Sequence, residues 1–342
     1  MKTAASVDFF KDTGSIINSV AYTRYNKTQV FPENSGEGIT RRWLHVQLVN
    51  HIARQLCREL GLNEDLAEAI ALGHDLGHPP YGHSGEDCLN RLCMETGCGF
   101  FVHHAQSARI LTVLEDQGRG LRLSMPVLDG ILCHNGEVLV REYVPDYMKS
   151  RSQFEAELNS CFMVAHFSKA IIPATLEGCV VRASDVIAYI GRDIEDAITL
   201  GLIYRGDIPE KIGSVLGDTE ASIRKALIDD VVRESCGDAI LSFSEQTFQA
   251  LQALLAFNYK AIYVHTAAEA VRRERECMFH MLFDACCEQL QRGEDAFVTR
   301  WVQAMDARYC LSTSIERMVV DYMAFMTDAA FERAFDEIVR SN

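Results

Sequence analysis

Apolar residues recur with helical spacing over most of the chain. Leucine or isoleucine occupies every fourth position from residue 44 to residue 60, which places these side chains on one face of a helix spanning 41–60. Thr40 is the expected N-cap of this helix, and Gly61 is the expected stop. A second helix is expected over 64–77, with Asn63 as its cap. These two segments predict a helical core near the amino terminus.

The same spacing continues to the carboxyl terminus. It predicts further helices at 104–117, 153–170, 174–201, 219–232, 244–257, 259–293, 295–307 and 312–340. The best strand candidate is GEVLVREYV (136–144), as one arm of a hairpin, and loops are expected at 31–39, 118–126 and 143–152. The chain is therefore predicted to be all-α, with a core part at 1–205 and a helical C-terminal part at 206–342 packed on the same core.

Composition narrows the class of protein. The chain has 342 residues, of which 48% are hydrophobic, and a net charge of −15, which argues against nucleic acid as a bulk partner. The amino terminus lacks the apolar segment of a signal peptide, and no run of about 18 apolar residues predicts a membrane span. None of the twelve cysteines forms a C-x-x-C pair. We interpret them as buried thiols and expect a cytoplasmic protein.

The most informative segment is GHDLGHPPYGHSGE (73–86), which places five metal-ligating or proton-carrying side chains within thirteen positions: His74, Asp75, His78, His83 and Glu86. Two prolines and a glycine follow His78, and proline cannot continue a helix. We therefore expect ligands at a helix end and candidate acid/base groups on a loop beside it. This arrangement is typical of a metal-assisted hydrolase.

Three separated segments can supply one metal site. His45 lies on the first helix, His74 and Asp75 end the second, and Asp185 lies within VVRASDVIAYIGRDIEDAI (180–198). Two imidazoles and two carboxylates suit a divalent ion such as Mn, Mg, Co, Fe, Ni or Zn, and they leave positions for water and a phosphate oxygen. The sequence does not decide among these metals.

Asp185, Tyr189 and Asp193 recur every four residues, so they share one helix face. A face with two carboxylates and a phenol is too polar for ordinary core. The Tyr189 ring can pack on a sugar, and Asp193 can accept a hydrogen bond from a sugar hydroxyl.

These motifs together resemble a known group. The H…HD…D pattern of His45, His74, Asp75 and Asp185 is similar to that of the HD superfamily of phosphohydrolases. The closer resemblance is to its dGTPase-like deoxynucleoside triphosphate triphosphohydrolases. It is carried by the long doublet segment and, in the same chain order, by KTQVF (27–31), RRWLH (41–45), HHAQSARIL (103–111) and ASDVIAYIGRDIEDAI (183–198). It covers residues 8–203 and implies an HD-domain helical bundle with a C-terminal helical extension.

The resemblance implies metal-dependent hydrolysis of a dNTP to a deoxynucleoside and inorganic triphosphate. It makes dGTP a candidate for the preferred substrate. His83 and Glu86 match the acid/base pair, and His78 and His103 match positions that contact phosphate or pass a proton. Arg42 matches a phosphate clamp. Gln29 matches the residue that senses the sugar 3′-hydroxyl together with Asp193, and Tyr189 matches the ring under the deoxyribose.

The chain also departs from the pattern of this group. AYTRYN (21–26) replaces an Arg-Arg-Leu-rich segment and leaves Arg24 as its one cation. His104 stands where Asn is usual, and Val186 stands where a basic residue is common. The contacts with the substrate phosphates are then expected to be weaker or to come from Lys27, Arg41 or Arg192.

The resemblance further implies a homo-oligomer, from dimer to hexamer, and leaves room for an activating dNTP at a second site. Two other functions stay open: another HD phosphohydrolase, such as a nucleotidase or phosphodiesterase, and a dNTP-binding sensor with little turnover. Single residues also have plainer interpretations. Tyr189 suits an amphipathic core, Asp193 suits an ion pair with Arg192 or Arg24, and His103 suits a polar loop. His134 in CHNGE (133–137) is not assigned to the site.

Overall fold

A computed structural model describes residues 8–31, 38–134, 139–265 and 269–341. Within these ranges the structure is all-α, as predicted, apart from one two-stranded ribbon. The helices are α1 (Phe9–Ile17), α2 (Arg42–Leu60), α3 (Glu64–Gly73), α4 (His83–Thr96), α5 (His103–Arg109), α6 (Glu115–Gly118), α7 (Met125–Leu132), α8 (Arg151–Met163), α9 (Leu176–Thr199), α10 (Glu210–Leu216), α11 (Glu220–Ser235), α12 (Glu245–Ala261), α13 (Glu269–Arg292), α14 (Phe297–Gln303), α15 (Ala307–Ser312), α16 (Ile315–Ala324) and α17 (Asp328–Ser341).

Helix boundaries near the amino terminus follow the capping chemistry in part. Gly61 ends α2 in the left-handed region at φ 71°, and the Asn63 side chain accepts a hydrogen bond from the Leu66 amide at the start of α3. Thr40 is not the N-cap of α2. Arg41 occupies that position, and the Thr40 hydroxyl instead accepts a hydrogen bond from Arg192. A tertiary contact therefore replaces the expected local one.

Several predicted boundaries were wrong. Helix α3 ends at Gly73, before the prolines, and residues 74–77 form turns. His83 and Glu86 lie on the first turn of α4 rather than on a loop. The predicted helix at 312–340 is two helices, α16 and α17, and the predicted loop at 118–126 overlaps the start of α7. A π-helical turn, Ile110–Leu114, interrupts the helix predicted at 104–117.

Of the strand candidate 136–144, only Glu142–Tyr143 (β1) forms a strand within the described part, and residues 136–138 lie outside the described residues. It pairs antiparallel with Leu241–Ser242 (β2), so its partner is a distant segment rather than a local hairpin arm.

Two hydrophobic clusters form the core. The larger one surrounds α2, α3, α7 and α9, and it includes side chains from α11 and α12. The smaller one joins α4 to α13, α16 and α17 through Leu89, Phe279, Val320 and Phe331. Helix α4 thus packs on C-terminal helices, whereas α11 and α12 pack on the larger cluster. The division at residue 205 stays a prediction.

Among the described helices, none is both long enough and apolar enough to cross a membrane.

Candidate active site

Ends and faces of three helices bring the predicted metal ligands together. His45 projects from α2, His74 caps α3, and Asp185 lies on α9. The Nε2 atom of His45 lies 2.9 Å from Oδ1 of Asp185, and Nε2 of His74 lies 3.8 Å from the same oxygen. Asp75 completes the set, with Oδ1 3.5 Å from His74 Nε2 and Oδ2 3.7 Å from His45 Nε2. The structure therefore places all four side chains around one point.

The donor set fits a divalent cation. The Nε2 atom of His74 is fully buried and has no hydrogen-bond partner in the described residues, although it faces two carboxylates. Its Nδ1 atom lies 2.6 Å from the carbonyl oxygen of Ala71, which can only accept, so Nδ1 carries the proton. Nε2 is then unprotonated, and its lone pair faces a buried site, which is the state of a histidine that binds a metal. His45, His74 and Asp185 could therefore hold a metal.

The turn that carries these ligands is fixed from behind by α5. The Ser107 hydroxyl donates to the carbonyl of His74 and accepts from the Gly77 amide at 2.8 Å. A Cβ atom on Gly77 would lie 2.0 Å from the carbonyl oxygen of His103, so only glycine fits at this approach. The spacing between the two histidine-bearing segments depends on this glycine.

Arg42 is buried and donates a hydrogen bond to Asp75 through Nη1, while Nη2 donates to the carbonyls of Thr28 and Gln29. Its guanidinium group holds the Asp75 carboxylate and the 28–29 backbone in place. The Arg42 charge and the surrounding histidines outweigh burial, so the pKa of Asp75 lies well below its usual range. The phosphate-clamp role predicted for Arg42 stays a prediction.

A second polar cluster lies beside the first. Glu86 accepts from the His103 amide at 2.7 Å, its Oε2 lies 2.9 Å from Nδ1 of His103, and the same oxygen lies 3.2 Å from Nδ1 of His83. Burial raises the pKa of Glu86, but the charge and hydrogen bond of His103 have the larger opposite effect. The pKa of Glu86 therefore lies well below its usual range. Glu86 is thus a carboxylate held between two imidazoles, and the His83 ring is about half exposed.

His78 connects the two clusters. Its ring stacks on His103 with centroids 3.9 Å apart, and its Nε2 atom lies 3.4 Å from Oδ1 of Asp75. Burial and the nearby Arg42 charge hold the pKa of His78 well below its usual value, so this ring is neutral.

His134 belongs to this site, although sequence reasoning left it unassigned. Its Nε2 atom lies 3.2 Å from Nε2 of His103 and 3.7 Å from Oδ1 of Asp75, and its ring packs edge-on against His74. The residue is buried at the end of α7, a helix that the sequence did not predict. The signal available in the sequence was a histidine that directly follows an apolar segment.

The predicted sugar-binding face is contiguous on α9. Tyr189 is half-buried, and Asp193 is buried and accepts a hydrogen bond from the Tyr263 hydroxyl at 2.7 Å. Burial raises the pKa of Asp193 to about 7. Asp193 does not pair with Arg192, whose guanidinium lies 3.3 Å from Asp196. Tyr263 gives no sequence signal, because it comes from a distant segment.

Gln29 and Lys27 lie on the segment that Arg42 holds. The Gln29 side-chain oxygen is buried without a hydrogen-bond partner in the described residues. The Lys27 ammonium is buried and donates to the carbonyls of His78 and Ala324, and burial lowers its pKa to about 7. Lys27 therefore supports the backbone of the doublet segment in this structure.

The C-terminal helix α17 also reaches this segment. Asp328, at the start of α17, accepts from the amide and hydroxyl of Thr28 and from the amide of Tyr81.

The residues that depart from the family pattern have defined positions. His104 and Val186 are buried, and burial holds the pKa of His104 well below its usual value, so it is a neutral ring. Arg24 donates to the Phe325 carbonyl and lies over that ring, 4.4 Å from its centroid. Arg41 pairs with Thr28 through a backbone bridge. None of these contacts adds a cation to the two clusters.

The sequence is similar to two protein families and to several known proteins. The HD domain matches residues 42–190, and the phosphohydrolase-associated domain matches residues 241–337. A deoxyguanosinetriphosphate triphosphohydrolase-like protein of Caldanaerobacter subterraneus subsp. tengcongensis is 36% identical over 94% of this chain and 81% of its own length. Proteins of the same description from Clostridium tetani and Clostridium perfringens are 33% and 32% identical, over 89% and 96% of this chain and over 83% and 86% of their own lengths.

The chain is therefore an HD-domain phosphohydrolase homologue. It belongs to the deoxyguanosinetriphosphate triphosphohydrolase-like family.

Proposed function

We propose that this protein hydrolyses deoxynucleoside triphosphates between the 5′ oxygen and the α-phosphorus and releases a deoxynucleoside and intact triphosphate. The observation that carries the proposal is the position of Asp75, which belongs to the metal-type cluster and lies 3.4 Å from His78, the ring that stacks on His103 of the acid/base cluster. Such an arrangement lets one phosphorus atom face a Lewis acid and a proton donor at once. The similar proteins from Caldanaerobacter subterraneus and Clostridium tetani are named as deoxyguanosinetriphosphate triphosphohydrolase-like, which is the same substrate class.

His45, His74, Asp75 and Asp185 are the proposed ligands of a divalent metal. Such a metal, when bound, would polarise an α-phosphate oxygen and lower the pKa of an attacking water. Its identity among Mn, Mg, Co, Fe, Ni and Zn is not fixed by two imidazoles and two carboxylates.

The second cluster, Glu86 with His83 and His103, is proposed to provide general acid/base catalysis. Glu86 orients His83 through the 3.2 Å contact to Nδ1, which leaves the other nitrogen of this exposed ring to protonate the departing 5′ oxygen. His103, on the other side of Glu86, keeps the carboxylate ionised. His78 adds a neutral ring that can contact a phosphate oxygen.

The deoxyribose is proposed to lie against the α9 face. The Tyr189 ring packs under the sugar, where a 2′-hydroxyl would crowd it. Gln29 and Asp193 receive the 3′-hydroxyl, which would give the buried Gln29 oxygen a partner. Arg42 and Lys27 hold the wall formed by residues 27–29, and Arg41 and Arg192 remain candidates for phosphate contact.

The direct test is product identity. The purified protein would be incubated with each dNTP and with GTP in the presence of Mn, Mg or Co, and the products followed by phosphorus NMR. The proposal expects a triphosphate signal and free deoxynucleoside, with dGTP as the first substrate to test. Orthophosphate or pyrophosphate as the initial product would instead favour a nucleotidase or phosphodiesterase. Tight dNTP binding without turnover under any metal would favour a sensor.

A further inference from the structure

Two cysteine side chains meet where α4 ends. Gly97 lies in the left-handed region at φ 71°, the Cys98 amide donates to the Cys93 carbonyl at 3.0 Å, and the Gly97 amide donates to the Met94 carbonyl. This is the Schellman pattern, in which the side chains at the two outer positions pack on each other. Here both outer positions are cysteines, Cys93 and Cys98, so the motif brings their side chains together.

The two thiols have different surroundings. Cys93 is fully buried in the smaller hydrophobic cluster, whereas Cys98 is partly exposed. The Thr96 hydroxyl donates to the Cys98 sulfur at 3.5 Å. The neighbouring Cys93 thiol, with further help from Thr96 and the Arg317 charge, lowers the pKa of Cys98 to about 6, and the same contact raises the pKa of Cys93. Cys98 is therefore the more acidic and more nucleophilic thiol of the two.

Several other thiols among the described residues differ from Cys98 in burial or in neighbours. Burial raises the pKa of Cys57, Cys88 and Cys286. Cys236 and Cys277 are exposed, but Cys98 combines exposure with a neighbouring thiol and a thiolate-stabilising hydroxyl.

We propose that Cys98 and Cys93 form a peroxide-reactive pair that closes a reversible disulfide. The Cys98 thiolate attacks one oxygen of a hydroperoxide, the O–O bond breaks, and hydroxide or alkoxide leaves with the electron pair. Cys98 becomes a sulfenic acid. The Cys93 sulfur then attacks the Cys98 sulfur, an S–S bond forms, the S–O bond breaks and water leaves. The peroxide is reduced and the two thiols are oxidised.

The backbone at this turn brings the two cysteines toward each other. A disulfide needs Cα atoms about 5.5 Å apart, and the hydrogen bond from the Cys98 amide to the Cys93 carbonyl folds the chain back over this short loop. The following segment is held separately, because Arg317 donates to the carbonyls of Cys98 and Phe100.

The bond would close the connection between two residues of the candidate active site. Helix α4 starts with the turn that carries Glu86, and the chain returns after Cys98 to place the His103 amide on Glu86. The inference does not depend on the proposed hydrolysis, since it concerns thiol chemistry alone. Because the turn already brings the two cysteines toward each other, the oxidised protein is expected to keep its fold and basal activity.

Peptide mapping tests the proposal cleanly. Trypsin cleaves after Arg91 and Arg109, and the resulting peptide, 92–109, contains Cys93 and Cys98 and no other cysteine. The full-length protein would be titrated with hydrogen peroxide, remaining thiols blocked, and the digest analysed by mass spectrometry. The expected peptide is lighter by two hydrogen masses, and dithiothreitol restores both alkylation sites.

Variants separate the steps. In Cys98→Ser the mass loss disappears, whereas in Cys93→Ser a sulfenic acid persists on Cys98 and reacts with dimedone. Cys287→Ser, which removes another nearby thiol, leaves the bond unchanged. Circular dichroism checks that each variant is folded. Oxidation of the exposed Cys236 and Cys277 while peptide 92–109 keeps two free thiols would overturn the proposal, as would a crosslink from Cys98 to Cys287.

Discussion

The Nε2 atom of His134 lies 3.2 Å from the Nε2 atom of His103. Nδ1 of His134 lies 2.7 Å from the Ile131 carbonyl oxygen, so it carries a proton, and burial lowers the pKa of His134 to about 3. His134 is then a neutral ring whose Nε2 accepts. The His103 ring is thus held between the Nε2 lone pair of His134 on one side and the Glu86 carboxylate on the other.

Replacing His134 should therefore impair turnover rather than binding. In His134→Ala the His103 ring loses the acceptor that orients it, and we expect kcat to fall by about a hundredfold with little change in KM. His134→Asn, which supplies an amide oxygen, should recover part of the loss. Steady-state kinetics checks this, with the partly exposed His280→Ala as control. A selective rise in KM would contradict the orienting role.

Glu86→Gln should abolish most turnover while leaving the fold intact. The amide cannot hold His83 and His103 as the carboxylate does, so we expect kcat to drop by about 10² to 10⁴. Glu95→Gln, on the exposed end of the same helix, is the matched control and should keep full activity. Equal effects from the two variants would remove Glu86 from the mechanism.

His45→Ala should empty the proposed metal site. Without one of two imidazoles the site loses affinity, and the metal content measured by atomic emission should fall from about one ion per chain to near zero. His51→Ala changes an exposed residue on the same helix and should leave the metal content unchanged. Full metal retention in His45→Ala would place the ion elsewhere.

Asp193 should make stability depend on pH. Burial raises its pKa in the folded protein to about 7, above the unfolded value, so its contribution is fully present at low pH and is lost as pH rises through about 7. Urea unfolding at pH 5 and pH 8 should show the wild type losing up to about 3 kcal/mol more than Asp193→Asn over that interval. A parallel pH dependence in the two proteins would mean that Asp193 is ionised throughout.

The buried Asp321 should be costly to remove. It accepts from Gln106, Arg109 and Tyr309, so it joins α5, which carries His103, to α16. Asp321→Ala leaves a buried guanidinium without its partner and should cost about 3–5 kcal/mol of unfolding free energy. Asp229→Ala, in the exposed pair with Lys225, should cost less than about 1 kcal/mol. Chemical denaturation distinguishes the two.

Sequence patterns predicted the features that depend on neighbouring residues. Helical spacing located α2 and α9, and glycine and asparagine located two helix ends, because those signals lie within a few positions. The motif segments placed His45, His74, Asp75 and Asp185 in one group, which the structure brings together. Their roles as ligands stay predictions.

The sequence missed features that depend on distant segments. Thr40 was expected to cap α2, but Arg192, far along the chain, competes for its hydroxyl. Tyr263 meets Asp193 and Asp328 meets Thr28 only after the C-terminal helices pack. His134 was left unassigned, and its contacts with His103 and Asp75 form only when α7 packs beside the doublet segment and α5. Periodicity does not reveal such tertiary contacts.

In the proposed reaction, water attacks the α-phosphorus, the 5′ oxygen departs with the deoxynucleoside, and the triphosphate is released intact. A single-turnover reaction with dGTP in oxygen-18 water tests it, with mass spectrometry of both products and Glu86→Gln as the inactive control. We predict that the label enters the triphosphate and that the deoxynucleoside stays unlabelled. Label in the deoxynucleoside, or in orthophosphate or pyrophosphate released first, would contradict the account.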